Sequence, residues 1–203
     1  MTIDEIMRAT PVIPVLVLDG EGDWAALAET LVGAGLPVLE VTLRTAAALD
    51  AIREMSRVAG AIVGAGTVLN ERQLGEAIDA GSRFIVSPGL TEPLARAAIA
   101  ARMPYLPGVA TAGDIMRGLD LGLDRFKYFP AEAAGGIAAL KALAAPFGQV
   151  WFCPTGGIHA DSAAQWLALS QVPCVGGSWI APRGENDLAA IAARAREAAA
   201  LNA

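Results

Sequence analysis

Ala34-Gly35-Leu36-Pro37-Val38-Leu39-Glu40-Val41-Thr42-Leu43-Arg44 joins a helix stop to a strand, and its pattern returns along the chain. Gly35 closes an amphipathic Ala-rich run, a place where the residue beyond a helix often needs positive φ. A brief apolar run, Val38–Leu43, follows. Ala80-Gly81-Ser82-Arg83 and Leu121-Gly122-Leu123-Asp124 are stops of the same kind. The repeat is about one strand plus one helix long.

Working outward from that segment, strands are expected at Ile13–Leu18, Val38–Leu43, Ala61–Ala65, Phe84–Ser87, Tyr105–Leu106, Arg125–Phe129, Val150–Cys153 and Cys174–Gly176. Helices are expected near Asp23–Val32, Ala46–Arg57, Glu71–Ala80, Glu92–Ala101, Ala112–Leu121, Ile137–Ala144, Asp161–Leu169 and Asp187–Ala200, with a short leading one at Ile3–Arg8. Strict βα alternation predicts a parallel sheet, and eight units predict a closed single-domain α/β (β/α)₈ TIM barrel over residues 1–203. No linker or low-complexity segment interrupts the pattern.

Composition agrees. Of 203 residues, 54% are hydrophobic, 18% charged and only 5% aromatic, which suits aliphatic strands covered on both faces. A net charge of −6 without a basic stripe argues against nucleic acid or an anionic membrane as partner. Met1-Thr2-Ile3-Asp4-Glu5 lacks a basic signal-type start, and no apolar stretch has the length of a membrane span. A cytoplasmic protein is expected, with Cys153 and Cys174 as buried free thiols. The single His159 and the two cysteines form no ligand spacing, so no metal is expected.

In such a barrel, active sites collect at the C-terminal ends of the strands. Strand side chains alternate between the interior and the helix layer. Glu40, Thr42 and Arg44 share one parity, and the apolar parity of Leu39, Val41 and Leu43 belongs against helices, which sends the polar trio inward. The same rule groups Lys127 with Phe129 and Thr155 with Cys153, while Thr67 follows Gly64-Ala65-Gly66. Lys127 lies in Arg125-Phe126-Lys127-Tyr128-Phe129-Pro130, and the chain has one other lysine, Lys141. An ammonium in a poorly solvated strand is costly unless used, and a lysine that sheds its proton there becomes a nucleophilic amine.

Each residue has a plainer alternative. Lys127 could run its stem along the strand and snorkel. Glu40 and Arg44 could be a space-filling ion pair. Thr67, Thr155 and His159 could be ordinary turn or loop residues. Pro154-Thr155-Gly156-Gly157-Ile158 and Gly176-Gly177-Ser178-Trp179 follow the last two strands, where such barrels cradle phosphate on backbone N–H groups. A phosphorylated small molecule bearing a carbonyl is the expected substrate.

Six segments in order then carry a family resemblance: Glu40-Val41-Thr42-Leu43-Arg44-Thr45, Gly64-Ala65-Gly66-Thr67-Val68-Leu69, Ser87-Pro88-Gly89-Leu90-Thr91, Phe126-Lys127-Tyr128-Phe129-Pro130-Ala131-Glu132, Cys153-Pro154-Thr155-Gly156-Gly157-Ile158 and Gly176-Gly177-Ser178-Trp179. Together they resemble the class I aldolases of the 2-keto-3-deoxy-6-phosphogluconate and 4-hydroxy-2-oxoglutarate family, from about Pro11 to Trp179. The resemblance implies a homotrimer without cofactor or metal that cleaves the phosphorylated keto acid, in the Entner–Doudoroff route, to pyruvate and glyceraldehyde 3-phosphate. It assigns imine formation to Lys127, proton transfer to Glu40, the carboxylate to Arg44 with Thr67 beside it, and the hydroxyl end to Thr155. Gly156, Gly157, Gly177 and Ser178 would take the phosphate. Relatives acting on the galactonate epimer tend to be apolar where this chain has Thr155, and to carry an arginine at the end of the first strand. Here that strand ends Leu16-Val17-Leu18-Asp19, so the gluconate form is expected, with 4-hydroxy-2-oxoglutarate as a side activity. The competing readings are the galactonate-epimer aldolase, an isomerase or synthase in which Lys127 is only a clamp, and a non-catalytic phosphosugar-acid-binding barrel.

Overall fold

The computed structural model describes residues 1–201. The elements run α1 (Ile3–Arg8), β1 (Val12–Leu16), α2 (Trp24–Gly33), β2 (Val38–Thr42), α3 (Ala48–Met55), β3 (Ile62–Gly66), α4 (Glu71–Asp79), β4 (Phe84–Val86), α5 (Glu92–Ala100), β5 (Tyr105–Leu106), β6 (Gly108–Val109), α6 (Ala112–Asp120), β7 (Arg125–Tyr128), α7 (Gly136–Ala144), β8 (Trp151–Pro154), α8 (Ala160–Leu167), β9 (Val175–Gly177) and α9 (Leu188–Ala199). Local chemistry sets many of these limits. Asp23, Asn70 and Asp187 cap α2, α4 and α9 through their side-chain oxygens, and Thr111 with Asp114 forms a reciprocal cap on α6. At the other ends Gly35, Gly81 and Gly122 have φ of 94°, 95° and 77°, the left-handed geometry expected for the three stops.

The fold is α/β, with a curled parallel sheet of six strands in the order β5-β4-β3-β2-β1-β9 and a parallel sheet of three, β6-β7-β8. The fifth expected strand, Tyr105–Leu106, is present as β5, and a further short strand that was not expected, β6, follows it. Tyr105 and Leu106 pair with β4, whereas Gly108 and Val109 pair with β7. Pro107 lies between, without an N–H to continue a ladder, and its carbonyl accepts from Lys127 N at 2.8 Å. Gly108 runs so close to the β4–α5 loop that an added Cβ would stand 2.7 Å from Gly89 N. A single bridge between Thr155 and Gly176 links the end of β8 to β9.

Strand parity divides the core. Leu39 and Val41 join the larger apolar cluster with residues of the surrounding helices, among them Leu31, Ile52, Leu74 and Ile191. The opposite parity carries a second cluster of Ile13, Val38, Phe84, Val86, Leu106, Cys153 and Cys174, with Ile6 and Met7 of α1 packed against it. Complete burial of side chains of this size contributes about 1.5–3 kcal/mol each. The leading helix thus closes the N-terminal side of the inner sheet face, and the C-terminal side is left for polar groups. Below that plug, Arg125 Nε donates to Asp4 Oδ1 at 2.7 Å, and the Arg8 guanidinium lies 4.4 Å from the Trp151 ring centre. Both cysteines are buried and free. Among the described residues no helix is long and apolar enough to cross a membrane.

Candidate active site

Glu40 sits mid-β2, in register with Val15 of β1 and Gly64 of β3, on the inward parity of Val38. Lys127 sits mid-β7, in register with Gly108 and Cys153. The curvature of the sheets brings these two side chains together across the inner space. Lys127 Nζ donates to Glu40 Oε1 at 3.1 Å, with side-chain exposures of 7% and 4%. At that burial the snorkelling alternative fails, because the ammonium end is inside. The ring of Phe129, two residues along on the same face, lies 5.4 Å from Nζ.

A buried ion pair survives only when geometry and hydrogen bonding repay its desolvation. Here the space is tailored. An added Cβ at Gly66 would stand 2.7 Å from Glu40 Cγ and 2.8 Å from Cδ, and nearer still to Oε1. Gly66 is therefore the floor on which the carboxylate rests. Thr42, next along β2, is wholly buried and donates its hydroxyl to Leu16 O at 3.0 Å. The ion pair expected as an alternative between Glu40 and Arg44 is not the one formed. Arg44 is exposed just past β2, and its Nε reaches Thr67 Oγ1 at 3.4 Å. Thr67 itself has φ of 58°, an uncommon conformation for a β-branched residue, and such strain gathers at functional sites.

A cavity of about 610 Å³ opens over the C-terminal strand ends. Arg44, Lys127, Phe129, Thr155, Gly156, Gly157, His159 and Ser178 all line it, together with Val15, Val17, Ile158 and Trp179. Thr155 is 6% exposed, and among the described residues its hydroxyl has only Cys153 O at 3.4 Å and Cys153 Sγ at 3.9 Å as hydrogen-bond partners, so it remains available to a ligand. Gly156 and Gly157 have φ of 104° and 82°, a paired left-handed turn that side chains would strain. Gly177 belongs to β9, opposite Pro14, and is not part of the cavity wall; its missing Cβ makes room for the Trp179 ring, 2.5 Å from where that atom would be. Thr67 also stands outside the lining, behind Arg44. His159 lines the cavity from the N-cap of α8.

Arg183 escaped the sequence reading. It lines the cavity from the turn beyond β9 and is paired with Asp19 at the end of the β1 region. Ala181-Pro182-Arg183-Gly184 does place a cation in a Pro/Gly turn after the last strand, which is a weak signal on its own.

Taken together, fold and site define an α/β protein with an amine and a carboxylate paired across the space between two parallel sheets, the equipment of imine-forming carbonyl chemistry. Residues 3–194 match the family model described as KDPG and KHG aldolase. The 2-dehydro-3-deoxy-phosphogluconate aldolase of Zymomonas mobilis is 57% identical over 199 residues, covering 98% of this chain and 96% of that protein. The crystal structure of the Zymomonas mobilis 2-keto-3-deoxy-6-phosphogluconate aldolase with 3-phosphoglycerate is similar at a TM-score of 0.96, with 56% identity over 98% of this chain and 96% of that one. A Legionella pneumophila KDPG aldolase with pyruvate captured at low pH as a covalent carbinolamine matches at a TM-score of 0.94, with 41% identity and 98% of each chain covered. The chain belongs to the KDPG and KHG aldolase family.

Proposed function

We propose that this protein is a class I aldolase that reversibly cleaves 2-dehydro-3-deoxy-6-phosphogluconate to pyruvate and glyceraldehyde 3-phosphate. The observation that carries the reading is the buried Lys127 Nζ–Glu40 Oε1 contact of 3.1 Å, with Lys127 lining the cavity and Glu40 behind it. Glu40 takes a proton from the Lys127 ammonium, and the free amine attacks the C2 carbonyl. Glu40 returns that proton to the hydroxyl of the carbinolamine, which leaves as water, so that a protonated imine forms and Glu40 is again a carboxylate. Glu40 then accepts the C4 hydroxyl proton, the C3–C4 bond breaks, and its electron pair flows into the imine to give an enamine and the free aldehyde. Protonation at C3 and hydrolysis release pyruvate and restore Lys127.

Placement supports the remaining roles. Arg44, beside Thr67, faces the cavity from the end of β2 and suits the substrate carboxylate. Thr155 offers its hydroxyl to the C4 end. Gly156, Gly157, Gly177 and Ser178 hold the phosphate, and the absent Cβ of Gly177 also makes room for Trp179. The gluconate epimer is favoured by Thr155 and by Asp19 at the end of the first strand, with 4-hydroxy-2-oxoglutarate as a lesser substrate.

We read the two parallel sheets, joined through Pro107 and the Thr155–Gly176 bridge, as one closed (β/α)₈ barrel forming a single domain. A homotrimer is in keeping with Ile78, Ile99 and Met116, large apolar side chains exposed on successive outer helices. Two buried free thiols suit a reducing, cytoplasmic setting. The test is direct: incubation with the phosphorylated substrate should yield pyruvate and glyceraldehyde 3-phosphate in equal amounts, and Lys127→Arg should yield neither. Product formation undiminished in that variant would refute the proposal.

A further inference from the structure

The donors assigned to the phosphate, the backbone of Gly156, Gly157 and Gly177 and the hydroxyl of Ser178, carry no charge. Of the cationic side chains lining the cavity, Lys127 is committed to Glu40, and Arg44 reaches Thr67 just past the neighbouring strand β3. Arg183 is the cation on the wall that also carries Ser178 and Trp179. Its position is fixed from two sides. The Asp19 carboxylate accepts from its Nε and, at 3.0 Å, from its Nη2. The turn bearing it is closed by Glu185 N to Pro182 O at 2.9 Å, and Arg194 ties that turn down through Ile180 O at 2.8 Å and Glu185 Oε2 at 3.2 Å.

Asp19 engages Nε and Nη2, and Nη1 makes no hydrogen bond among the described residues. A guanidinium held by one edge still presents donors from the other. The protein as a whole carries −6, so an anionic substrate approaches against the overall field and gains from a cation at the mouth.

We propose that Arg183, oriented by Asp19, is the phosphate-selecting side chain of this cavity, donating to the substrate phosphate opposite Ser178 and thereby favouring phosphorylated over unphosphorylated keto acids. This rests on the aldolase reading. The experiment compares wild type with Arg183→Gln in three measurements: KM for the phosphorylated substrate, inhibition of its cleavage by inorganic phosphate, and the rate of borohydride trapping with pyruvate. Arg183 is exposed, its side chain 67% so, and loss of one charge-assisted contact there should raise KM and weaken phosphate inhibition by about tenfold each. The trapping rate with pyruvate, which has no phosphate, should not change. Unaltered KM and phosphate inhibition in Arg183→Gln would overturn the assignment, as would an equal loss in pyruvate trapping. Absence of trapping in the wild type would instead refute the aldolase reading, so the two failures are distinguishable.

Discussion

Gly66→Ala changes no polar group, yet it should disable the site. Gly66 does not occupy the left-handed region, so alanine is conformationally permitted. The obstacle is spatial: the new methyl would stand 2.7 Å from Glu40 Cγ and 2.8 Å from Cδ, where ordinary contact begins near 3.4 Å. Leu39 and Val41 on either side of Glu40 are fully buried, so the backbone cannot easily yield and the side chain must. A retreat of about 1 Å stretches the 3.1 Å contact to Lys127 beyond hydrogen-bond range, and misplacement on that scale can cost about 10²-fold. The overpacking itself should destabilise by about 1–3 kcal/mol. Steady-state pyruvate release, read alongside the thermal midpoint, separates the two effects. A fall in kcat of about 10² in a protein that remains folded is expected. Wild-type kcat in a folded Gly66→Ala protein would refute the claim that this glycine seats the catalytic carboxylate.

Three further predictions concern neighbouring parts of the molecule. Glu40→Gln keeps the shape but cannot carry protons, so turnover should fall by about 10²–10⁴ while pyruvate still docks; near-normal turnover would make Glu40 structural. Thr155→Val should narrow the kcat/KM preference for the gluconate over the galactonate epimer with little loss of stability, since the hydroxyl is held only weakly within the protein; an unmoved ratio would remove Thr155 from epimer selection. At the opposite end, the hydrogen bond from Arg125 holds the Asp4 carboxyl below its usual range, against the opposing effect of burial, with Arg8 adding to the lowering. A depressed folded value stabilises above the unfolded carboxylate's pKa of about 4 and is lost as pH falls through the folded one. With Asp4 about one-third exposed, Asp4→Asn should cost under about 1 kcal/mol at pH 7, and less below pH 4; a constant difference across that range would contradict the linkage.

Alternation was the most legible feature of the sequence. Apolar runs set off by Gly35, Gly81 and Gly122 located the elements because positive φ after a helix is a local requirement. Parity on β2 sent Glu40 and Thr42 inward for the same reason, since Leu39 and Val41 had to meet helices. Three features escaped because they depend on distant chain. Gly108–Val109 is too short to show periodicity and exists only because β7 lies beside it. The partner of Glu40 could not be read either: Arg44, nearby in sequence, points to the rim, whereas Lys127, 87 residues away, arrives through curvature of the sheet. At Gly177 the sequence pattern does not show that the absent Cβ also makes room for the Trp179 ring. Arg183 and Asp19, 164 residues apart, are joined only by the fold.

The central claim is that a covalent imine forms on one lysine of two. Lys127 is buried against Glu40 and lines the cavity, whereas Lys141 is exposed on α7. Borohydride reduction in the presence of pyruvate, followed by peptide mass mapping, reads this choice directly. The account predicts a reduced pyruvyl adduct on the peptide containing Lys127 and none on that containing Lys141, with loss of activity in step with labelling. An adduct on Lys141 alone, or full activity after reduction, would contradict it.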